Sequence, residues 1–521
     1  MSRRPPRSLV AAAAAVVALL LLPLAYLVIR VAGGAGALDV LRETATVELI
    51  LDTVLLVAGV VTAAIVVAVP TAWLVARSDL PGRRLWAVAA ALPLVIPSYV
   101  AAFCLLGFFG ERGLLAGALG VERFPDPTGY WGALAALTLS TYPYVFLLAQ
   151  AAFRDLDPAL EEAARGLGQS RRRVFWRVTI PAVRPAVTLG SLLVALYVLS
   201  DFGVVSLMRY DSLTRAIYLQ YRSLFDRTPA AVLALVLVAL TAVALGLELR
   251  ARTRGRLWRS GPGAARRARP VRLGRLRWLA LSWCAAVTGA FLVLPAGVLC
   301  YWLGRGLALD RIGGLPWNEA VNSLGASGLA AVAAVAAALP VALLAARYPS
   351  RVSRALERLS YAGNALPGLV IALALVFFAA RYASPVYQTL GLLVFAYVVR
   401  FFPQALSGVE TAFARTGPRL EEASRGLGRG PFATTWLVTL PLVRSGLLAG
   451  AALVFLSAMK ELPATILLRP IGFDTLATEV WSATQVGAYS QAAVPALVLI
   501  ALSAPVLWLL QGERSTLAEP G

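Results

Sequence analysis

EEAARGLGQSRRRVFWRVTIP, from Glu161 to Pro181, and EEASRGLGRGPFATTWLVTLP, from Glu421 to Pro441, are two polar islands in an otherwise apolar chain. Each reads as an acid, two small residues, three positions, a glycine (Gly168 or Gly428), nine positions, a branched aliphatic residue, any residue, another aliphatic residue and proline. The copies lie 260 residues apart, so the chain is a tandem duplication at least around these loops. Elsewhere Pro70 in VAVPTAWLVAR aligns with Pro340 in AALPVALLAAR, and Pro97 in LVIPSYVAAF with Pro367 in NALPGLVIAL, at an offset of 270. The difference places ten extra residues between the third helix and the polar loop of the first half, most simply in the loop holding ERFPDPTGY.

Over the whole chain 59% of the residues are hydrophobic. Apolar runs repeatedly exceed the roughly 18 residues that mark a membrane-spanning helix, which excludes a soluble fold. The runs predict twelve helices, near 9–29, 49–76, 85–109, 130–153, 184–208 and 229–249, then 278–304, 320–346, 361–380, 388–413, 444–460 and 491–511. An even number per copy keeps both copies in one orientation, so the repeat is parallel, about an axis along the membrane normal. The expected fold is an all-α integral membrane protein of two six-helix repeats. The halves are residues 1–249, with the polar loop at 154–182, and residues 278–521, with the polar loop at 414–442, joined by a linker at 250–277.

The net charge of +21 comes from arginines lying between apolar runs, so retention on the cytoplasmic side explains it without nucleic acid. Arg3, Arg4 and Arg7, then Arg77, Arg83 and Arg84, the first polar loop, and a linker with eleven arginines and no acid all share one side if both termini are cytoplasmic. The basic, apolar N-terminus is expected to stay as a first helix, because its apolar stretch has no small-residue exit.

The chain has no histidine and a single lysine, Lys460, flanked by Met459 and Glu461. A phosphate-binding loop of the form GxxxxGK[ST] is therefore absent, as are histidine proton relays. Cys104, Cys284 and Cys300 all fall in apolar runs and are expected to be buried.

The polar loops resemble the "EAA" loop of ABC-importer permeases. The resemblance implies the type I permease fold and a loop helix that docks into a separate ATPase. It implies coupling roles for Glu161, Glu162, Ala163, Gly168 and Pro181, and for Glu421, Glu422, Ala423, Gly428 and Pro441. Ser424 stands where the motif has its second alanine. Two loops imply two ATPase copies; a binding protein outside the membrane is the other implied partner, beside lipid. The chain itself would bind no cofactor, ATP being used by the partner. Locally, Asp157 and Pro158 read as the start of a helix that Gly166 or Gly168 ends. The second copy has Gly417 and Pro418 there.

Twenty residues beyond each loop's proline lies an acid, Asp201 in LSDFG and Glu461 in MKELPATILL. Acids at membrane depth face a cavity or a partner, so Asp201, Glu461 and Lys460 are candidates for the substrate path. The other reading is interfacial, with Lys460 neutralising Glu461. Beyond them DSLTRAIY, from Asp211, and DTLATEVW, from Asp474, read as short helices roofing the path or receiving a binding protein. The phrases LSDFG and MKELPATILLRPIGFDTLATEVW are similar to the fused permeases of ferric-iron importers; fused thiamine permeases are the alternative. A twelve-helix secondary transporter is a weaker reading, since Asp52 is nearly the only mid-depth acid and its repeat partner is Asn322.

Overall fold

A computed structural model describes residues 5–33, 37–111, 113–120, 126–222, 228–256, 270–416 and 419–516. Hydrocarbon offers no water to backbone N–H and C=O groups, so each apolar run must satisfy its own as a helix. Among the described residues eleven helices are long and apolar enough to cross a membrane, and a helix pair bent by 98° makes twelve if it is counted as one span.

The first half contains α1 (Arg7–Ala32), α2 (Thr44–Arg77), α3 (Ser98–Phe109), α4 (Tyr130–Arg154), α5 (Pro158–Gly166), α6 (Ile180–Ser200), α7 (Leu213–Arg222) and α8 (Thr228–Arg256). The second repeats the order with α9 (Leu294–Ala308), α10 (Trp317–Arg347), α11 (Gly368–Tyr382), α12 (Leu390–Arg415), α13 (Arg419–Gly426), α14 (Leu440–Met459), α15 (Leu476–Gln485) and α16 (Tyr489–Thr516). α9 continues a helical run that starts near Gly274. The segment between α3 and α4, residues 110–129, is longer than its counterpart at 383–389. The first four residues of ERFPDPTGY, 122–125, lie outside the described residues.

The third span of each half departs from the continuous helix expected from hydropathy. It begins as Arg83–Ala91 or Arg351–Ser360, tightens into a short 3-10 turn, and restarts as α3 or α11 after a proline. Proline forces the residue before it out of the helical region. Accordingly Ile96 has ψ 119° and Leu366 ψ 109°, just before Pro97 and Pro367. The fifth span differs as well. Helix is continuous from Arg171, well before the expected 184, through a π-turn at Phe175–Thr179 into α6, and it stops at Ser200. Asp201 is extended there (ψ 131°), and a separate short helix, Gly203–Leu207, follows. α14 stops likewise at Met459, ahead of the short helix Pro463–Leu468.

Each half is built on a trio, α2 with α4 and α6, and α10 with α12 and α14. Small residues bring the trios close. A Cβ on Gly190 would stand 2.8 Å from Val145 Cα, and one on Gly408 2.7 Å from Gly450 Cα. Such close backbone approach replaces the hydrophobic driving force that lipid cannot supply.

The first helix of each half crosses to the other half. α1 packs on α10, α11 and Arg351–Ser360, and the Tyr26 hydroxyl donates to the Phe377 carbonyl at 3.3 Å. The helical run ending in α9 packs on α2, α3 and Arg83–Ala91, with Trp302 Nε1 donating to Gly107 O at 3.3 Å and Trp283 Nε1 to Thr71 Oγ1 at 3.0 Å. The exchange staples the halves together. Cys104 and Cys284 are buried as expected, but Cys300 is exposed.

α8 runs on to Arg256, into the linker expected from 250, and residues 257–269 lie outside the described residues. The end of the linker is stitched to α2: Val271 N donates to Arg77 O at 2.7 Å, and Asp79 N to Val271 O at 3.1 Å.

Candidate functional site

In the first polar loop the Asp157 carboxylate accepts from Ala159 N at 2.9 Å, and Pro158 opens α5, where a missing N–H costs nothing. The helix closes with Leu167 N on Ala163 O at 3.1 Å and Gly168 N on Arg165 O at 2.9 Å. Gly168 then turns the chain at φ +79°, and Gly428 does the same at φ +82°. A side chain at either position would be strained by the backbone alone, since among the described residues nothing beyond the chain neighbours lies within 4 Å of where its Cβ would stand. Gly417 and Pro418 lie outside the described residues.

The two adjacent acids of each loop have different surroundings. Glu162 and Glu422 are exposed, with Ala163 and Ala423 beside them. Glu161 and Glu421 point inward. Arg77 Nη2, from the end of α2, donates to Glu161 Oε2 at 2.5 Å, and Thr179 Oγ1 donates to Oε1 at 2.7 Å. Arg347, from the same place on α10, donates through Nη2 to Glu421 Oε1 at 2.9 Å and through Nε at 3.1 Å, while also holding the Thr416 carbonyl at 3.0 Å. All four side chains are largely buried, so these pairs are shielded from water. Pro181 and Pro441 are exposed near the starts of α6 and α14.

Sequence reasoning passed over three apolar positions that match in the two loops. Leu160 and Leu420, Leu167 and Leu427, and Trp176 and Trp436 are all exposed, Leu167 by 82% and Leu427 by 84%. An apolar side chain shown to solvent at one place is ordinary, but the same three in both copies, around an exposed acid, form a surface suited to a partner. The signal was in the sequence, as RGLG in both loops with a leucine before it and a tryptophan after it, but apolar residues in a polar loop do not stand out in an oily chain.

Asp201 and Glu461 occupy equivalent places and are both buried. Each caps the short helix that follows it, Asp201 Oδ1 accepting from Val204 N at 2.8 Å and Glu461 Oε1 from Ala464 N at 3.3 Å. Their other partners differ. Asp201 Oδ2 accepts from the Ser98 hydroxyl at 2.5 Å, whereas Glu461 pairs with Arg400 of α12 at 3.0 Å. The repeat puts Gly368 where Ser98 stands, and a Cβ there would lie 2.4 Å from Glu461 Oε1 and 2.5 Å from Arg400 Nη1. Gly368 thus makes room for the ion pair. Lys460 Nζ donates to Leu94 O, in the other half, at 3.2 Å, and the cation paired with Glu461 is Arg400.

The halves meet at this level. A Cβ on Gly203 would stand 3.3 Å from Leu462 Cδ2, and the Phe202 ring lies 5.2 Å from Trp481 and 4.7 Å from Tyr218. Tyr397 OH and Thr465 Oγ1 are 2.6 Å apart beside Glu461. Two acids, two cations and several hydroxyls are brought together at the seam. DSLTRAIY and DTLATEVW form α7 and α15, which flank it.

Fold and site together define a membrane permease of two fused halves, each presenting one loop helix with an exposed acid and exposed leucines. The profile of the family described as binding-protein-dependent transport system inner membrane component matches residues 61–250 and 338–512. The chain belongs to this family, as a multi-pass inner-membrane component. It is 33% identical over 517 residues, 98% of this chain and 99% of the relative, to an Fe(3+)-transport system permease protein of Haemophilus influenzae. A ferric transport system permease protein of Actinobacillus pleuropneumoniae is 22% identical over 461 residues, 82% of this chain and 66% of its own. A molybdenum transport system permease protein of Escherichia coli K12 is 35% identical over 138 residues, 25% of this chain and 58% of its own.

Proposed function

We propose that this chain is the permease of an ATP-driven importer of ferric iron. The observation that carries the reading is the full-length likeness to a ferric permease, together with two loops that present the same acid and leucines. α5 and α13 each receive one copy of an ATPase subunit through Glu162, Leu167 and their counterparts Glu422 and Leu427. Their glycines, Gly168 and Gly428, hold the turn that fixes the helix angle. ATP is bound and hydrolysed by those subunits, a division of labour supported by a sequence that holds no GxxxxGK[ST] loop, and on this reading the chain needs no cofactor of its own. The arginine distribution supports placing both termini, the linker and both loops in the cytoplasm.

Cargo arrives on an extracytoplasmic binding protein at the end of the molecule that carries α7 and α15. It crosses between the halves, past Asp201 and Glu461. In the structure as described, the aromatic contact of Phe202 with Trp481 and the Lys460 bond to Leu94 O hold that seam together. Opening it requires the halves to part, which is the work that ATP-driven closure of the docked subunits supplies. A second reading, oxyanion import, is favoured by Arg400 and Lys460 at the seam and by the partial likeness to molybdenum permeases.

The test is uptake by proteoliposomes holding the permease, its ATPase and its loaded binding protein. ATP-dependent uptake of ferric ion, unaffected by an uncoupler, is expected. Uptake of molybdate or thiamine in place of iron would overturn the cargo, and uptake without the ATPase would overturn the importer reading.

A further inference from the structure

α2 and α10 are the long members of the two trios, and each is fastened at both ends to an element the transport cycle must move. At one end Arg77 holds Glu161 of α5, and Arg347 holds Glu421 at the start of α13. At the other end Thr53 Oγ1 accepts from Leu213 N, the first residue of α7, at 3.0 Å, and the Tyr210 hydroxyl donates to Asp52 O at 2.9 Å. In the second half Ser323 Oγ accepts from Leu476 N, the first residue of α15, at 2.9 Å, and Asn322 Nδ2 donates to Asp474 O at 2.8 Å. Thr53 and Ser323 are both buried. Each hydroxyl therefore satisfies an N–H that a helix start leaves without an intrahelical partner.

The geometry is the same in both copies although the residues differ. Thr53 aligns with Ser323 and Arg77 with Arg347 at the offset of 270, so each pair spans the same stretch of helix, about 36 Å. Helix is unbroken between them, through Pro70 in α2 and Pro340 in α10. A rigid rod held by buried polar contacts at both ends cannot let one end move while the other stays. None of these groups lies on the exposed docking face or at the seam.

We infer that α2 and α10 are struts that carry the motion of the docked ATPase subunits to α7 and α15, with Arg77, Glu161 and Thr53, and Arg347, Glu421 and Ser323, as positioning residues. The inference rests on the docking role proposed above for α5 and α13. It makes α7 and α15 the output of the struts, so a binding protein seated there would sense nucleotide state through them, and its seating would bias the docked subunits toward their closed, hydrolysing arrangement through the same link.

The experiment uses the complete complex in lipid nanodiscs, with retained ATPase, basal hydrolysis and hydrolysis stimulated by the binding protein read separately. Thr53→Val with Ser323→Ala removes both outer acceptors. This variant is expected to retain the ATPase and its basal rate while stimulation falls about fivefold or more. Thr53→Ser, which keeps the acceptor, is expected to keep stimulation. Arg77→Glu alone is expected to lose it, and Arg77→Glu with Glu161→Arg to regain part, which separates a broken link from a misfolded chain. Because a rod fails once, adding Thr53→Val, at the other end of the same helix, to Arg77→Glu is expected to cost nothing further. Full stimulation in the outer variant, or losses that multiply when the two ends are combined, would overturn the struts. If the unaltered permease fails to retain the ATPase, the docking reading falls first, and the struts with it.

Discussion

Gly368→Ala tests the account of the seam most sharply. Gly368 opens α11 directly after Pro367 and has no left-handed φ, so on backbone grounds alanine there gains about 0.5–1 kcal/mol. The surroundings argue the other way. The new Cβ would stand 2.4 Å from Glu461 Oε1 and 2.5 Å from Arg400 Nη1. Both atoms end flexible side chains, so the overlap alone could be relieved for about 1 kcal/mol. What cannot shift freely is their pairing, a 3.0 Å contact between side chains that are 19% and 5% exposed. Pushing such a pair apart leaves two charges poorly compensated in a water-poor layer, and separating a buried pair costs about 3–5 kcal/mol. A net loss of about 3 kcal/mol is expected, read as the fraction of monodisperse protein surviving a temperature series in detergent. Rescue follows from the other half. Gly368→Ser with Glu461→Asp and Arg400→Ser installs what the first half carries at Ser98, Asp201 and Ser140, and it should recover most of the loss. A Gly368→Ala variant as stable as the unaltered chain, or a triple variant no better than the single, would refute the claim that glycine is there to seat the ion pair.

Three further outcomes are expected. Leu167→Ala with Leu427→Ala removes two exposed apolar contacts, each worth about 1.5–3 kcal/mol if buried by a partner; ATPase retention should weaken at least tenfold, measured by titrated pull-down, while stability stays within about 0.5 kcal/mol. Gly168→Ala and Gly428→Ala each force a side chain to hold a φ near +80°, costing about 1–2 kcal/mol, and should lower ATP-dependent uptake without affecting membrane insertion. Arg347→Leu leaves buried Glu421 to the longer contact with Arg425, at 3.4 Å, and should cost about 3 kcal/mol, whereas Arg347→Leu with Glu421→Leu should recover much of that loss; equal stability of the single and double variants in thermal unfolding would contradict the buried pairing.

Much of the fold was readable because the bilayer leaves a chain so few options. Hydropathy located the spans, the repeated loops revealed the duplication, and Asp157, Pro158 and Gly168 marked a short helix with its cap and its turn. The reading erred where a local backbone rule overrides hydropathy. Pro97 and Pro367 sit in apolar runs, and counting apolar residues extended a helix through both. Asp201 and Glu461 read as lying near the outer ends of helices, and the helices do end there, but the short helices beyond them are merged or missed by that reading.

By itself, the sequence determined the membrane setting, the helix count, the duplication and the identity of the paired loops, since these follow from hydropathy, charge and motif spacing along the chain. Tertiary structure alone decided which acid of each EE pair turns inward, because that depends on Arg77 and Arg347 arriving from helices 84 and 74 residues away. It also decided that α1 and α9 exchange halves, and that Arg400 rather than the neighbouring Lys460 pairs with Glu461. Adjacent residues at the end of a helix point in different directions, so proximity along the chain is a poor guide to partnership. The partner of a buried charge is set by what the packed helices bring within about 3 Å.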